Sequence, residues 1–279
     1  MGTSNLYKGP KSKFLLPSDY TPDTMIEQGV PIDAIDSNND KEKEEKGPAS
    51  NNNEDRPTRP ANSWNTARSS IRKAMNDRRS GNIKRAIRNY TKALGGHANA
   101  TRQAAKMRNT AQVIYSYFAG TPEAIRNRFE DLGIQFVGRT TNEIFGDICN
   151  LIAPVPFDLE DSLVNMALQE TFADIVADQS IDLETLEGFN ETLLQKLVGG
   201  LMKHYIFDKL IFQSEQTALR NCENSSHLHN LEKIIKQYID GIVDSVVPRL
   251  VRNGMSQDDF NRALETLCDI SYQQMEELR

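Results

Sequence analysis

Few residues of this chain are of the kinds that carry out chemistry, and their spacing argues against most reactions. Four histidines and three cysteines offer one grouping, Cys222 with His227 and His229. A structural zinc site takes four ligands, and no fourth stands nearby. Residues two apart do not share a helix face, so the group reads as a polar inter-helix loop. His204 lies amid apolar residues, as a satisfied core histidine does, and His97 follows Gly95-Gly96 at a helix start. Asp158, Glu160 and Asp161 bring carboxylates together, but they also stand where a helix N-terminus attracts acids. The phosphate-cradling and nucleophile patterns GxxxxGK[ST], GxGxxG and GxSxG are absent. Gly199-Gly200 falls inside a helical pattern and reads as a close helix crossing. These residues point away from an enzyme, and to no metal or cofactor bound by the chain itself.

Two other features carry more. The first is the start, Met1-Gly2-Thr3-Ser4. Glycine is small enough for Met1 to be removed, which leaves Gly2 with an α-amine whose pKa is about 8. Leu6 occupies the last position of the myristoylation pattern, so a lipid is not expected there. An unhindered amine on an extended arm suits the active site of another enzyme.

The second feature is charge. The 279 residues have a formal net charge of −6, but its parts differ. Residues 1–60 carry 8 basic and 11 acidic side chains, residues 61–110 carry 12 and one, and residues 111–279 carry 13 and 27. A band of net +11 therefore precedes a body of net −14. In the band, Arg72, Lys73, Arg78, Arg79, Lys84, Arg85, Arg88 and Lys92 are candidates for contact with an anion or a partner. One use is contact with nucleic-acid phosphates. The other is docking on acidic protein, within the chain or on a partner, and the acidic body makes that the favoured reading. Trp64 and Tyr90 are too few for a stacking platform.

The elements that must position these residues are helices. Ile83, Ile87, Tyr90 and Leu94 recur at one-face spacing, and Gly95-Gly96 ends that helix. Met107, Ala111, Ile114 and Phe118 repeat the pattern. Thr121-Pro122 then reads as N-cap and first helical position. Further helices are expected over about 142–152, from Asp158 to about 178, over 190–212, over 226–250, and from Ser256 to near 278. Ile134–Val137 is the best strand candidate and is unconvincing. The fold expected is an all-α bundle of about seven to nine helices with a long flexible N-terminal arm. Residues 1–36 form the arm, which holds apolar residues able to engage a partner. Residues 37–60 form a disordered polar linker with too little apolar surface to order. Residues 61–118 form the basic helical region and 119–279 the acidic helical body. Ile206, Phe207, Leu210, Ile211 and Phe212 on the long helix could serve an oligomeric scaffold, with core packing the expected use. Scattered cysteines, no signal peptide and no membrane-length apolar run suggest a cytoplasmic protein.

MGTSNLYKGP followed by Leu15-Leu16-Pro17 resembles the start of QatB proteins, components of the bacterial Qat antiphage defence systems. The basic helix, Gly95-Gly96, and Ala100, Arg102, Ala104, Ala105 and Met107 are a second point of resemblance. This chain has Lys8-Gly9-Pro10 where the family often has Gly-Gly-Pro. The resemblance implies three partners: an ATPase (QatA), a QueC-like enzyme (QatC) and a TatD-like nuclease (QatD). It implies that the QueC-like enzyme uses ATP and a deazaguanine carboxylate to form an amide with Gly2. Thr3, Ser4, Leu6, Tyr7 and Pro10 would then be read by that enzyme. A nucleic-acid-binding module over residues 68–108 is the alternative.

Overall fold

The computed structural model describes residues 63–77, 79–178, 188–219 and 225–279, all within one compact unit. The expected arm and linker lie outside the described residues. So do Arg78 and Cys222, and the side chains of His227 and His229. The described residues hold ten helices and no strand. They are α1 (Ser63–Asn76), α2 (Ser80–Ala93), α3 (His97–Gln103), α4 (Ala105–Phe118) and α5 (Pro122–Asp131), then α6 (Thr141–Ile152), α7 (Leu159–Ala177), α8 (Glu191–Leu219), α9 (Ser225–Leu250) and α10 (Gln257–Glu277). The all-helical reading holds. The helices outnumber the expected seven to nine partly because one turn residue, Ala104, divides α3 from α4.

Local chemistry sets the ends. Gly95 and Gly96 have φ of 97° and 83°, a left-handed region that favours glycine, and they stop α2. The Thr121 hydroxyl accepts from the Ala124 amide, with Pro122 in the first turn of α5. Thr140 and Glu143 cap α6 reciprocally. Asp158 and Ser256 accept from the Asp161 and Asp259 amides and start α7 and α10. Ile134-Gln135-Phe136-Val137 is an irregular connection. It buries Ile134 and Phe136 while Val137 is exposed.

One apolar core runs from Ile71 to Met275 and joins the basic region to the acidic body. Tyr115 stacks on Phe260 at 3.9 Å, and its hydroxyl donates to the Met255 carbonyl at 2.6 Å. The long helix α8 packs against α7, α9, α4 and α1. Gly199 and Gly200 are the close crossing expected of them. A Cβ on Gly200 would lie 2.6 Å from Thr171 Cγ2 of α7, and one on Gly199 3.3 Å from Val247 Cγ2 of α9. Ile206 and Leu210 are buried, and Phe207 and Ile211 pack against the core, so these four serve packing, while Phe212 is exposed.

Candidate docking surface

Helices α1 and α2 form a hairpin across a three-residue turn, which makes them antiparallel neighbours. Ala67, Ile71, Ala74 and Met75 of α1 and Ile83, Ala86, Ile87 and Tyr90 of α2 turn inward and are buried. The single acid of the band, Asp77, serves the turn. Its carboxylate accepts from the Arg79 amide at 3.4 Å, and its carbonyl accepts from the Asn82 side chain at 3.1 Å. The polar residues between the apolar positions line a groove of about 460 Å³, with Ser69 and Lys73 on one wall and Asn82, Arg85 and Asn89 on the other. Every described residue lining it is polar and none is acidic.

The hairpin is seated by apolar packing and a few polar contacts. Lys84 lies 5.8 Å from the centre of the Tyr238 ring on α9, and Ser80 hydrogen-bonds the Tyr238 hydroxyl at 2.6 Å. Arg88 donates to the Leu278 carbonyl at 3.4 Å. Arg79 reaches Asp77 at 3.5 Å. Among the described residues no ion pair joins Arg72, Lys73, Lys84, Arg85, Arg88 or Lys92 to a carboxylate. Trp64 meets Tyr90 edge-on at 6.2 Å, and Tyr90 is buried, so both aromatics belong to the core.

The second half of the band is arranged otherwise. Lys106 on α4 pairs with Asp158 at 2.6 Å and Asp161 at 2.7 Å. Those hydrogen bonds raise the Lys106 pKa and lower that of Asp158. Asp161 also accepts from the Phe157 amide at 3.1 Å. The His97 amide donates to Glu276, and its ring meets Asp269 at 2.7 Å, both on α10. The acids 158–161 thus do more than complement a helix terminus. Glu160 reaches the buried Lys209 of α8 at 2.7 Å, and Tyr205 donates to it at 2.8 Å. The signal for this network was Asp208-Lys209, two charges inside an apolar run, which must find partners or change protonation state. Lys209 finds Glu160. One carboxylate oxygen of Asp208 has no partner, and burial first, then the Glu170 charge, push its pKa up to about 7.

His204 is buried as expected but only half satisfied: Nε2 is hydrogen-bonded to Asp174 at 2.8 Å, while Nδ1 lies 2.6 Å from a Glu170 oxygen without making a hydrogen bond. Cys149 and Cys268 are buried thiols, with Cys268 pushed up to about 12 by burial. Among the described residues no group of acids, histidines and cysteines is arranged to hold a metal ion, and no helix is long and apolar enough to cross a membrane. Gly2, Thr3, Ser4, Leu6, Tyr7 and Pro10 lie outside the described residues.

Residues 95–275, more than half of the chain, match the family model described as Qat anti-phage system associated protein QatB. The match begins at the glycine pair that ends α2, so the α1–α2 hairpin precedes it. No curated protein and no solved structure matches.

Proposed function

Because the chain belongs to the QatB family, associated with the Qat anti-phage system, we propose that it is a non-catalytic defence subunit whose N-terminal glycine is the acceptor for a partner enzyme. The partner is a QueC-like enzyme, QatC, acting alongside the ATPase QatA and the TatD-like nuclease QatD in the cytoplasm. Family membership carries the reading, with the small residues Gly2-Thr3-Ser4 at the start of the sequence in support. ATP activates the carboxyl group of a deazaguanine in the partner's site. The neutral Gly2 amine attacks the activated carbon and forms the C–N bond. The ATP-derived group leaves with its electron pair, and the amine loses a proton. The product is an amide. Thr3 and Ser4 line the mouth of the partner's site, with Leu6, Tyr7 and Pro10 read further out. This chain supplies the amine, and the partner holds the nucleotide and the deazaguanine.

The test is an intact-mass spectrum of the chain purified alone and after co-expression with the QueC-like enzyme. The expected result is an added mass equal to the deazaguanine acid less one water, located by fragmentation at Gly2. An unmodified Gly2 in a complex active against phage overturns the reading. Gly2→Ala is expected to fold normally and to be modified less.

A further inference from the structure

The α1–α2 groove combines properties that a surface between two helices need not have. Lys73 and Arg85 stand on opposite walls, and Ser69, Asn82 and Asn89 add neutral hydrogen-bonding groups. No acid lines it among the described residues, although acids outnumber bases in the chain by 39 to 33. The body's carboxylates instead pair with Lys106, Lys196, Lys203 and Lys209. The basic character continues beyond the groove, because Lys92 repeats Arg85 two helical turns on, and Arg72 follows the lining residue Ser69 at i+3 along the rim. Both Arg72 and Lys92 are exposed. An elongated basic track with amides and hydroxyls between its cations matches a repeating polyanion better than a single small ion.

The lining also says which part of a polyanion it meets. With no aromatic side chain, the groove has no ring on which a base can stack. Trp64 and Tyr90 are engaged with each other against the core. Arginine, lysine, serine and asparagine are the usual partners of phosphate oxygens and sugars, contacts that fix position without reading sequence. We infer that the α1–α2 groove binds the sugar–phosphate backbone of a nucleic-acid duplex, without preference for base sequence. This inference is independent of the fate of Gly2.

Fluorescence anisotropy of the full-length chain with a labelled DNA duplex of about 20 base pairs, near 50 mM NaCl, tests it. Binding is expected, with log K falling against log salt at a slope of roughly −2 to −4, the range for two to four phosphates. Arg85→Ala should weaken duplexes of every sequence alike and bring the slope about one unit nearer zero. Asn89→Asp, which puts an acid in the groove at nearly constant size, should also weaken binding. Both positions are on the outer side of the hairpin, and circular dichroism checks that each variant folds. Absence of binding at low salt overturns the inference. So does an equal loss from Arg262→Glu on α10, which would indicate adsorption by overall charge. Competition by poly-glutamate as effective as by duplex would assign the groove to acidic protein and also overturn it. Tighter binding to single strands than to duplex would do the same.

Discussion

The cations of α1 and α2 and those of α3 and α4 belong to one basic stretch of sequence, yet they meet different neighbours. Lys106 holds the Asp158 and Asp161 carboxylates of α7, and His97, counted as neutral, meets Asp269 and Glu276 of α10 by hydrogen bonds, which help tie the bundle together. Lys73, Arg85 and Lys92 line or flank a polar groove and pair with no carboxylate among the described residues. Like charge in sequence therefore has two physical uses here. Lys106 fastens the bundle from within, and Lys84 over Tyr238 and Arg88 at the Leu278 carbonyl help seat the hairpin, while Lys73, Arg85 and Lys92 form a surface presented outward. The boundary falls at Gly95-Gly96, where the family match also begins.

The largest expected effect tests the idea that an unpartnered charge is harmless in water and costly when buried. Asp208 is only 9% exposed and its carboxyl is pushed from 3.8 to about 7. The folded state therefore holds a proton that the unfolded state has released. Stability is fullest below about pH 4 and falls as pH rises through about 7. Asp208→Asn should stabilise the protein at pH 8 by on the order of 2–4 kcal/mol and change it little at about pH 3, below the unfolded pKa. Urea titrations at both pH values check this, and equal effects at the two would refute it.

Next in size is the joint. Gly96 has φ 83° and ψ 175°, a region that side chains avoid, although a Cβ there would find ordinary contact distances. Gly96→Ala should cost about 1–3 kcal/mol from the backbone alone, read as a lower denaturation midpoint. An unchanged midpoint would mean that this turn does not depend on the conformational freedom of glycine.

A smaller effect compares one cation from each half. Lys106→Met should lower the melting temperature near neutral pH, whereas Arg85→Met should leave it unchanged. The Lys106 contribution is present above the ordinary carboxylate range near pH 4 and is lost as acid carries Asp158 through its lowered pKa. On the alkaline side it is lost as pH rises through the raised Lys106 pKa, above 10.5. Equal loss in both variants, measured by thermal melts across pH, would erase the distinction. The smallest effect is Lys84→Ala, which removes the cation over Tyr238 and should cost about 0.5 kcal/mol.

Much of this arrangement was legible in the residue order, because its causes are local. Thr121-Pro122, Asp158 and Ser256 start helices by capping, and Gly95-Gly96 stops one by backbone geometry. Gly199-Gly200 announced a crossing because a helix keeps paired glycines where a neighbour comes too near for a side chain. The split of the basic band was not legible. Whether Lys106 or Lys73 meets a carboxylate depends on contacts 52 residues away in one case and on none among the described residues in the other. The groove was hidden for the same reason. Its cations were visible, but the walls exist only once α1 folds back on α2. The all-polar lining comes from serines and asparagines that carry little weight singly.

The glycine pair on α8 has a mechanical consequence. It notches the helix at one level, toward Thr171 of α7 and toward Val247 of α9. One turn of travel, about 5.4 Å, would set Thr171 against a residue with a side chain. The notches therefore work as detents: α7 and α9 seat at one axial setting on α8, and slipping by a turn means climbing out. Three helices are thereby indexed to one another at one point of the long helix, far along the chain from the basic hairpin.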